Sequence, residues 1–166
     1  MEPTAPGGQG GSESDPNTKT FEFGWFRSGD EGFYKMDESG NKYFFITGRI
    51  KELIIRGGVN IAPLEIDEVL MGLPMVKAGI AVGFENDWYG EEVGALVLLK
   101  DSVFESNSET AIKNEIISLC REKLPYYKSP KTVVFTDTIP VTSTGKYQRN
   151  KVKHLFEEFK QTQFRE

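Results

Sequence analysis

Three short stretches of this chain combine glycine, hydroxyl side chains and charge as ligand-holding loops do. They are Gly24-Trp25-Phe26-Arg27-Ser28-Gly29-Asp30, the run from Thr47 to Pro63, and Thr142-Ser143-Thr144-Gly145-Lys146-Tyr147-Gln148-Arg149. The last has the plainest chemistry. A lysine after Thr-Ser-Thr-Gly sits on a loop, where a compact cation with three donors reaches a phosphate or a carboxylate. It is not a nucleotide P-loop, which needs glycine where Pro140 stands and Ser or Thr where Tyr147 stands. Taken singly, each feature has a plainer reading: Lys146 as a solvated lysine, Gly57-Gly58 as a turn, Asp30 as a cap and Arg49 as a surface ion-pair partner. His154 is expected to face solvent and Cys120 to lie in the core. Neither is joined by further ligands at metal spacing, so no metal site and no Ser-His-Asp set is expected.

The elements that must position these loops follow from length and pattern. With 166 residues, 38% of them hydrophobic, and 17 glycines, the chain is long enough for one domain with a tail. Collagen-like, repeat and wholly disordered classes are excluded. One cysteine makes neither an internal bridge nor a zinc or CxxC motif, and a reducing compartment, with cytoplasm as the default, is expected. No apolar run of about 18 residues and no leader pattern is present, so neither a membrane span nor a secretory signal is expected. A net charge of −5 argues against a nucleic-acid partner. From Arg121 to Lys153, however, eight basic residues stand against two acidic ones, a zone suited to a polyphosphate or to a solvated face.

Residues 1–20 hold glycine, proline and small polar residues and read as a flexible tail. Phe33 to Met36 and Lys42 to Ile46 flank Asp37-Glu38-Ser39-Gly40-Asn41, the punctuation of a β-hairpin. Arg49 to Ile55 reads as a further strand ended by Gly57-Gly58. Pro63 opens a helix with Ile66, Val69 and Leu70 on one face and Glu65, Asp67 and Glu68 suiting its dipole, and Gly72 and Pro74 stop it. Strands are expected over Ala78–Phe84, Val93–Leu99 and Thr132–Phe135. Ser106 with Glu109 reads as a capping box for a helix carrying Ile112, Ile116, Leu119, Cys120 and Leu124. A last helix stacks Val152, Leu155, Phe156 and Phe159. The expected class is α+β: a small β-hairpin segment, then a compact domain with a central short β-sheet packed by about three helices.

In this order and at these intervals the three stretches resemble the adenylate-forming superfamily of acyl-CoA synthetases, peptide-synthetase adenylation domains and firefly-type luciferases. The resemblance runs from about Gly24 to Lys153. Its most specific part is Gly48-Arg49-Ile50-Lys51-Glu52-Leu53-Ile54 with Gly57-Gly58, Asn60-Ile61 and Pro63-Leu64-Glu65-Ile66. Leu124-Pro125-Tyr126-Tyr127-Lys128-Ser129-Pro130 and Ile139-Pro140-Val141-Thr142 are similar to the acyl-CoA synthetase version.

The resemblance implies a large N-terminal adenylation domain that binds ATP with Mg2+ and a carboxylic acid, and a small C-terminal lid. Residues 21–50 would be the end of the large domain, and 51–166 the lid. Asp30, in Ser28-Gly29-Asp30 where the family has Thr-Gly-Asp, would hold the ribose hydroxyls, and Arg49 would assist at the nucleotide. Lys51 would be the hinge. Lys146 would bridge the substrate carboxylate and the α-phosphate, and Gly57 and Gly58 would line the passage for CoA. Phe21, Phe23, Trp25 and Phe26 are expected to be exposed where the large domain would lie. The phosphate loop and the acid and adenine pockets of the family are absent from the sequence, so the activity is that of a longer enzyme. Two alternatives stand beside this one: a stand-alone lid-fold module for partner docking, and an adenylation domain that hands its acyl group to a carrier protein.

Overall fold

The computed structural model describes residues 20–101, 103 and 108–165. Residues 1–19 of the expected tail and Ser106 lie outside the described residues. Two small antiparallel ribbons come first. β1 (Phe21–Glu22) pairs with β2 (Trp25–Phe26), and β3 (Asp30–Met36) with β4 (Lys42–Arg49). The β3–β4 turn falls on Asp37–Asn41 as expected. The Asp37 carboxylate accepts hydrogen bonds from the backbone N–H groups of Ser39 and Asn41 and from the Asn41 side chain. Those bonds stabilise its charged form and hold its pKa below the usual carboxylate value, those from Asn41 first.

The expected strand over Arg49–Ile55 is instead broken. Arg49 ends β4, Ile50–Glu52 form one 3-10 turn, and β5 (Ile54–Arg56) begins afterwards. The break carries the chain from the ribbon into a different sheet, where Ile54 is buried while Ile50 and Ile55 stay outside. β6 (Val59–Ile61), not expected from the sequence, pairs back on β5.

The main sheet has the order β6-β5-β8-β7, with β9 (Thr132–Phe135) parallel to β8. β7 (Val76–Asn86) and β8 (Gly90–Leu99) form its long antiparallel centre. Side chains alternate across a strand, and here both faces are covered. Ala81, Val93, Ala95, Val97 and Leu99 point to one core with Ile66 and Leu70 of α1 (Pro63–Met71) and Ile112, Ile116 and Cys120 of α2 (Glu109–Lys123). Ile80, Val82, Phe84 and Leu96 point to a second core with Val152 and Phe156. The mixed α+β class expected from the sequence is therefore observed.

Two helix details differ from expectation. α2 is capped by Ser108, whose hydroxyl accepts from the Ala111 N–H at 3.3 Å. The last helix, Lys153–Phe159, is a 3-10 helix. At three residues per turn Phe156 and Phe159 share a face, and Leu155 is left partly in solvent. Cys120 is buried on the apolar stripe of α2, and desolvation pushes its thiol up to about 11, which marks a core residue and not a reactive one.

Phe156 stacks on Phe84 with ring centroids 5.3 Å apart, directly over Gly94 of β8. A methyl group at Gly94 would collide with the Phe156 ring. Gly94→Ala is expected to destabilise the fold by about 1–3 kcal/mol through forced repacking. A lowered urea midpoint at unchanged m-value is the signature to look for; an unchanged midpoint would contradict the packing described.

Candidate functional site

Asp30 opens β3 and Arg49 closes β4, and the antiparallel register sets the two directly opposite each other. Their side chains meet at 3.2 Å between Arg49 Nε and Asp30 Oδ1. The chain ahead of Asp30 turns through Gly29 at φ +76°, a conformation that favours glycine, and the Gly29 carbonyl accepts the Ile50 N–H at 2.9 Å. That bond draws the Ser28-Gly29-Asp30 turn against the 3-10 turn carrying Lys51. Ser28, Asp30, Arg49 and Lys51 thus line one open cavity of about 700 Å3. Three of the sequence-selected residues are brought together, with both signs of charge at the rim of a space large enough for part of a nucleotide.

Gly57 and Gly58 form the two-residue turn between β5 and β6, with φ of +55° and +84°. Positive φ at both positions is what a tight primed hairpin turn requires. The Gly57 N–H donates to the Tyr89 carbonyl at 2.8 Å, docking this turn on the β7–β8 turn. Beneath it Arg56 lies 4.0 Å from the Tyr89 ring centroid, and its Nε donates to the buried carboxylate of Glu92 at 2.7 Å. A Cβ on Gly58 would meet nothing within 4 Å among the described residues, so this backbone faces open space.

Lys146 occupies a third place, the end of a tight turn closed by the Val141–Tyr147 bridge. The Lys146 carbonyl accepts the Thr142 N–H at 2.8 Å, its own N–H donates to Thr142 Oγ1 at 3.1 Å, and Gly145 sits at φ +80°. Its side chain is exposed and lines neither the Asp30–Arg49 cavity nor the surroundings of Gly57. The six selected residues therefore occupy three separate displays on one chain.

The basic zone is mostly engaged internally. Lys128 pairs with Glu65 at 2.6 Å, Lys153 with Glu91 at 3.0 Å, Lys131 is buried against Tyr126, and Arg121 lies over the Tyr126 ring. Arg149 is the largest surprise. Sequence reading counted it among cations suited to a polyphosphate, yet it is buried, 7% exposed. Its Nη1 donates to Asp67 Oδ1 at 3.1 Å and to the Ala81 carbonyl at 2.9 Å, Nη2 donates to Asp67 Oδ2, and Nε approaches Glu52 Oε2 at 3.4 Å. Asp67 also accepts the Ala81 N–H at 2.7 Å. Burial raises the Asp67 pKa, opposed by the Arg149 guanidinium and the Ala81 N–H. One sequence signal for this pair existed: Asp67 shares the buried face of α1 with Pro63, Ile66 and Leu70, where an acid demands a partner.

Residues 65–146 match the AMP-binding enzyme C-terminal domain family. The chain carries an AMP-binding enzyme C-terminal domain. It is 40% identical over 140 residues to an oxalate–CoA ligase of Arabidopsis thaliana, covering 84% of this chain and 25% of that protein. It is 33% identical over 136 residues to the long-chain-fatty-acid–CoA ligase FadD13 of Mycobacterium tuberculosis, covering 82% and 25%. ATP-bound MatB from Rhodopseudomonas palustris superposes with a TM-score of 0.73 at 28% identity, covering 90% of this chain and 28% of that one. The chain spans about a quarter of the length of the curated relatives it matches.

Asp67→Asn keeps the side-chain shape in this C-terminal domain but removes the buried carboxylate opposite Arg149, leaving only the half-exposed Glu52 at 3.4 Å. The expected cost is about 3–5 kcal/mol. Urea unfolding of the variant beside the native chain tests it, and a difference within error would mean that the pair is open to water in solution.

Proposed function

We propose that this chain is the lid portion of an ATP-dependent acid–CoA ligase, with residues 21–50 ending the large domain and 51–166 forming the lid. The observation that carries the reading is the convergence of Asp30, Arg49 and Lys51 on one cavity, with Gly57-Gly58 and Lys146 displayed on two other turns of the same chain. In the first half-reaction a carboxylate oxygen attacks the α-phosphorus of ATP and pyrophosphate leaves. Asp30 accepts from the ribose hydroxyls, and Arg49, held by Asp30, stands beside the nucleotide. Lys146 supplies a cation between two anions whose repulsion otherwise opposes the attack. In the second, the thiol of CoA attacks the acyl carbon and AMP leaves. Glycines at 57 and 58 then allow the pantetheine arm to pass close to the backbone.

Lys146 and Gly57-Gly58 sit on different turns, so in this reading each half-reaction uses its own face of the lid. Rotation at Lys51 supplies the exchange. Mg2+ accompanies ATP in this reading. Among the described residues no group of three or more His, Cys, Asp or Glu could hold a metal ion. The strongly exposed aromatics Phe23 (93%) and Trp25 (79%), with Phe21 and Phe26 also exposed, are assigned to packing against the rest of the large domain. Relatives named for oxalate and for long-chain fatty acids share this part, which supports leaving choice of acid to the large domain. Among the described residues no helix is long and apolar enough to cross a membrane.

Pyrophosphate release from Mg-ATP with a panel of carboxylic acids is expected only from the longer enzyme containing this chain, and Lys146→Ala there is expected to lower it about 100- to 1,000-fold. Release by the 166-residue chain alone would overturn the reading. Lys51→Pro restricts the backbone at the turn. Adenylation should survive it while thioester formation falls, and equal loss of both would sink the hinge assignment.

A further inference from the structure

Lys146 lies on an exposed turn, yet three residues onward the chain is anchored in the interior. Gln148 donates its N–H to the Pro140 carbonyl at 2.9 Å, which closes the base of the turn, and Arg149 follows at once. The Arg149 guanidinium reaches three other segments: Asp67 on α1, the Ala81 carbonyl on β7, and Glu52 of the 3-10 turn, the residue directly after Lys51. The Gly57-Gly58 turn has a separate support, the Tyr89 carbonyl and the Arg56–Glu92 pair, and touches none of these groups in the contacts described.

We propose that Arg149 is a positioning residue for Lys146, tying its turn to the body of the domain and to the residue that follows Lys51, so that rotation at Lys51 carries Lys146 as part of one rigid piece. This rests on the roles given to Lys146 and Lys51 above. Planarity is what the role needs. A guanidinium offers donors in fixed directions to Asp67, Ala81 and Glu52 together, whereas an ammonium at the end of a flexible stem cannot reproduce that fork. Arg149→Lys therefore keeps the charge opposite Asp67 while loosening the geometry. Glu52→Ala leaves the buried Arg149–Asp67 pair intact and removes only the link to the turn at Lys51, on a side chain that is 39% exposed.

Two measurements test the proposal. In the 166-residue chain, 15N relaxation of Arg149→Lys is expected to show greater motion over Val141–Tyr147 and none added at Gly57-Gly58. In the longer enzyme, Arg149→Lys is expected to lower the adenylation kcat about 10- to 100-fold, leaving the KM for ATP and thioester formation from supplied acyl-adenylate within about twofold. Glu52→Ala should move adenylation in the same direction by less, and the double variant should be no slower than Arg149→Lys alone, because both act through one network. Equal loss of both half-reactions would mean a purely structural role and would overturn the proposal, as would unchanged adenylation in Arg149→Lys. Should Arg149→Lys fail to fold, Glu52→Ala decides: wild-type adenylation overturns the proposal. Lys146→Ala in the same enzyme separates the two levels. If it leaves adenylation at the wild-type rate, the assignment of Lys146 itself is wrong; if it abolishes adenylation while both other variants adenylate at the wild-type rate, only the positioning role is.

Discussion

Arg149 carries its charge into the interior of the domain, and the domain is built so that this is tolerable. Both guanidinium Nη atoms are spent on the Asp67 carboxylate, one of them also on the Ala81 carbonyl, and Asp67 takes the Ala81 N–H in return. A charge this deeply buried is stable only with a matched counter-ion and further hydrogen bonds. Three segments distant in sequence, α1, β7 and the residues after the Lys146 turn, must therefore arrive together or not at all. Glu52 adds the turn between ribbon and sheet to the same cluster.

The sheet that receives this cluster has no free face at its centre. Alternate residues of β7 and β8 feed two separate cores, one under α1 and α2 and one under the final 3-10 helix. Small residues make the layers fit. Gly83 lies against Ile54 and Gly94 against Phe156, so each helix or strand settles close to the sheet backbone. Close packing on both sides leaves the chemistry to the turns at the edges, where backbone and charge can be displayed without disturbing a core.

The three displays differ in kind, and their supports differ accordingly. Asp30 and Arg49 are held by strand register, Gly57 by a backbone hydrogen bond to Tyr89, and Lys146 by a turn whose base is anchored through Arg149. Only the first lies ahead of the 3-10 turn at Ile50–Glu52; the other two lie beyond it. In the proposed lid, rotation at Lys51 would present one group or the other to the large domain without breaking either core.

Patterns with a strong local cause were legible in the sequence. Aromatic runs about Asp37–Asn41, Pro63 before an amphipathic stretch, and the apolar runs of β7, β8 and β9 all became the elements expected. The site residues were legible only through the spacing of their motifs. What escaped had non-local causes. The break at Ile50–Glu52 arises because the chain must leave one sheet for another; β6 exists because β5 offers an edge; the last helix is wound at three residues per turn on Phe84 and Gly94. Composition counted Arg149, Lys128, Lys131 and Lys153 as a basic zone, and folding turned each inward or onto a neighbour. The sequence by itself determined which residues could do chemistry, because turn glycines and charges at fixed spacings are local properties. Which cations stay available for a ligand and which become internal struts was decided by the tertiary structure alone, since that depends on an acid such as Asp67 contributed by a segment far away in the chain.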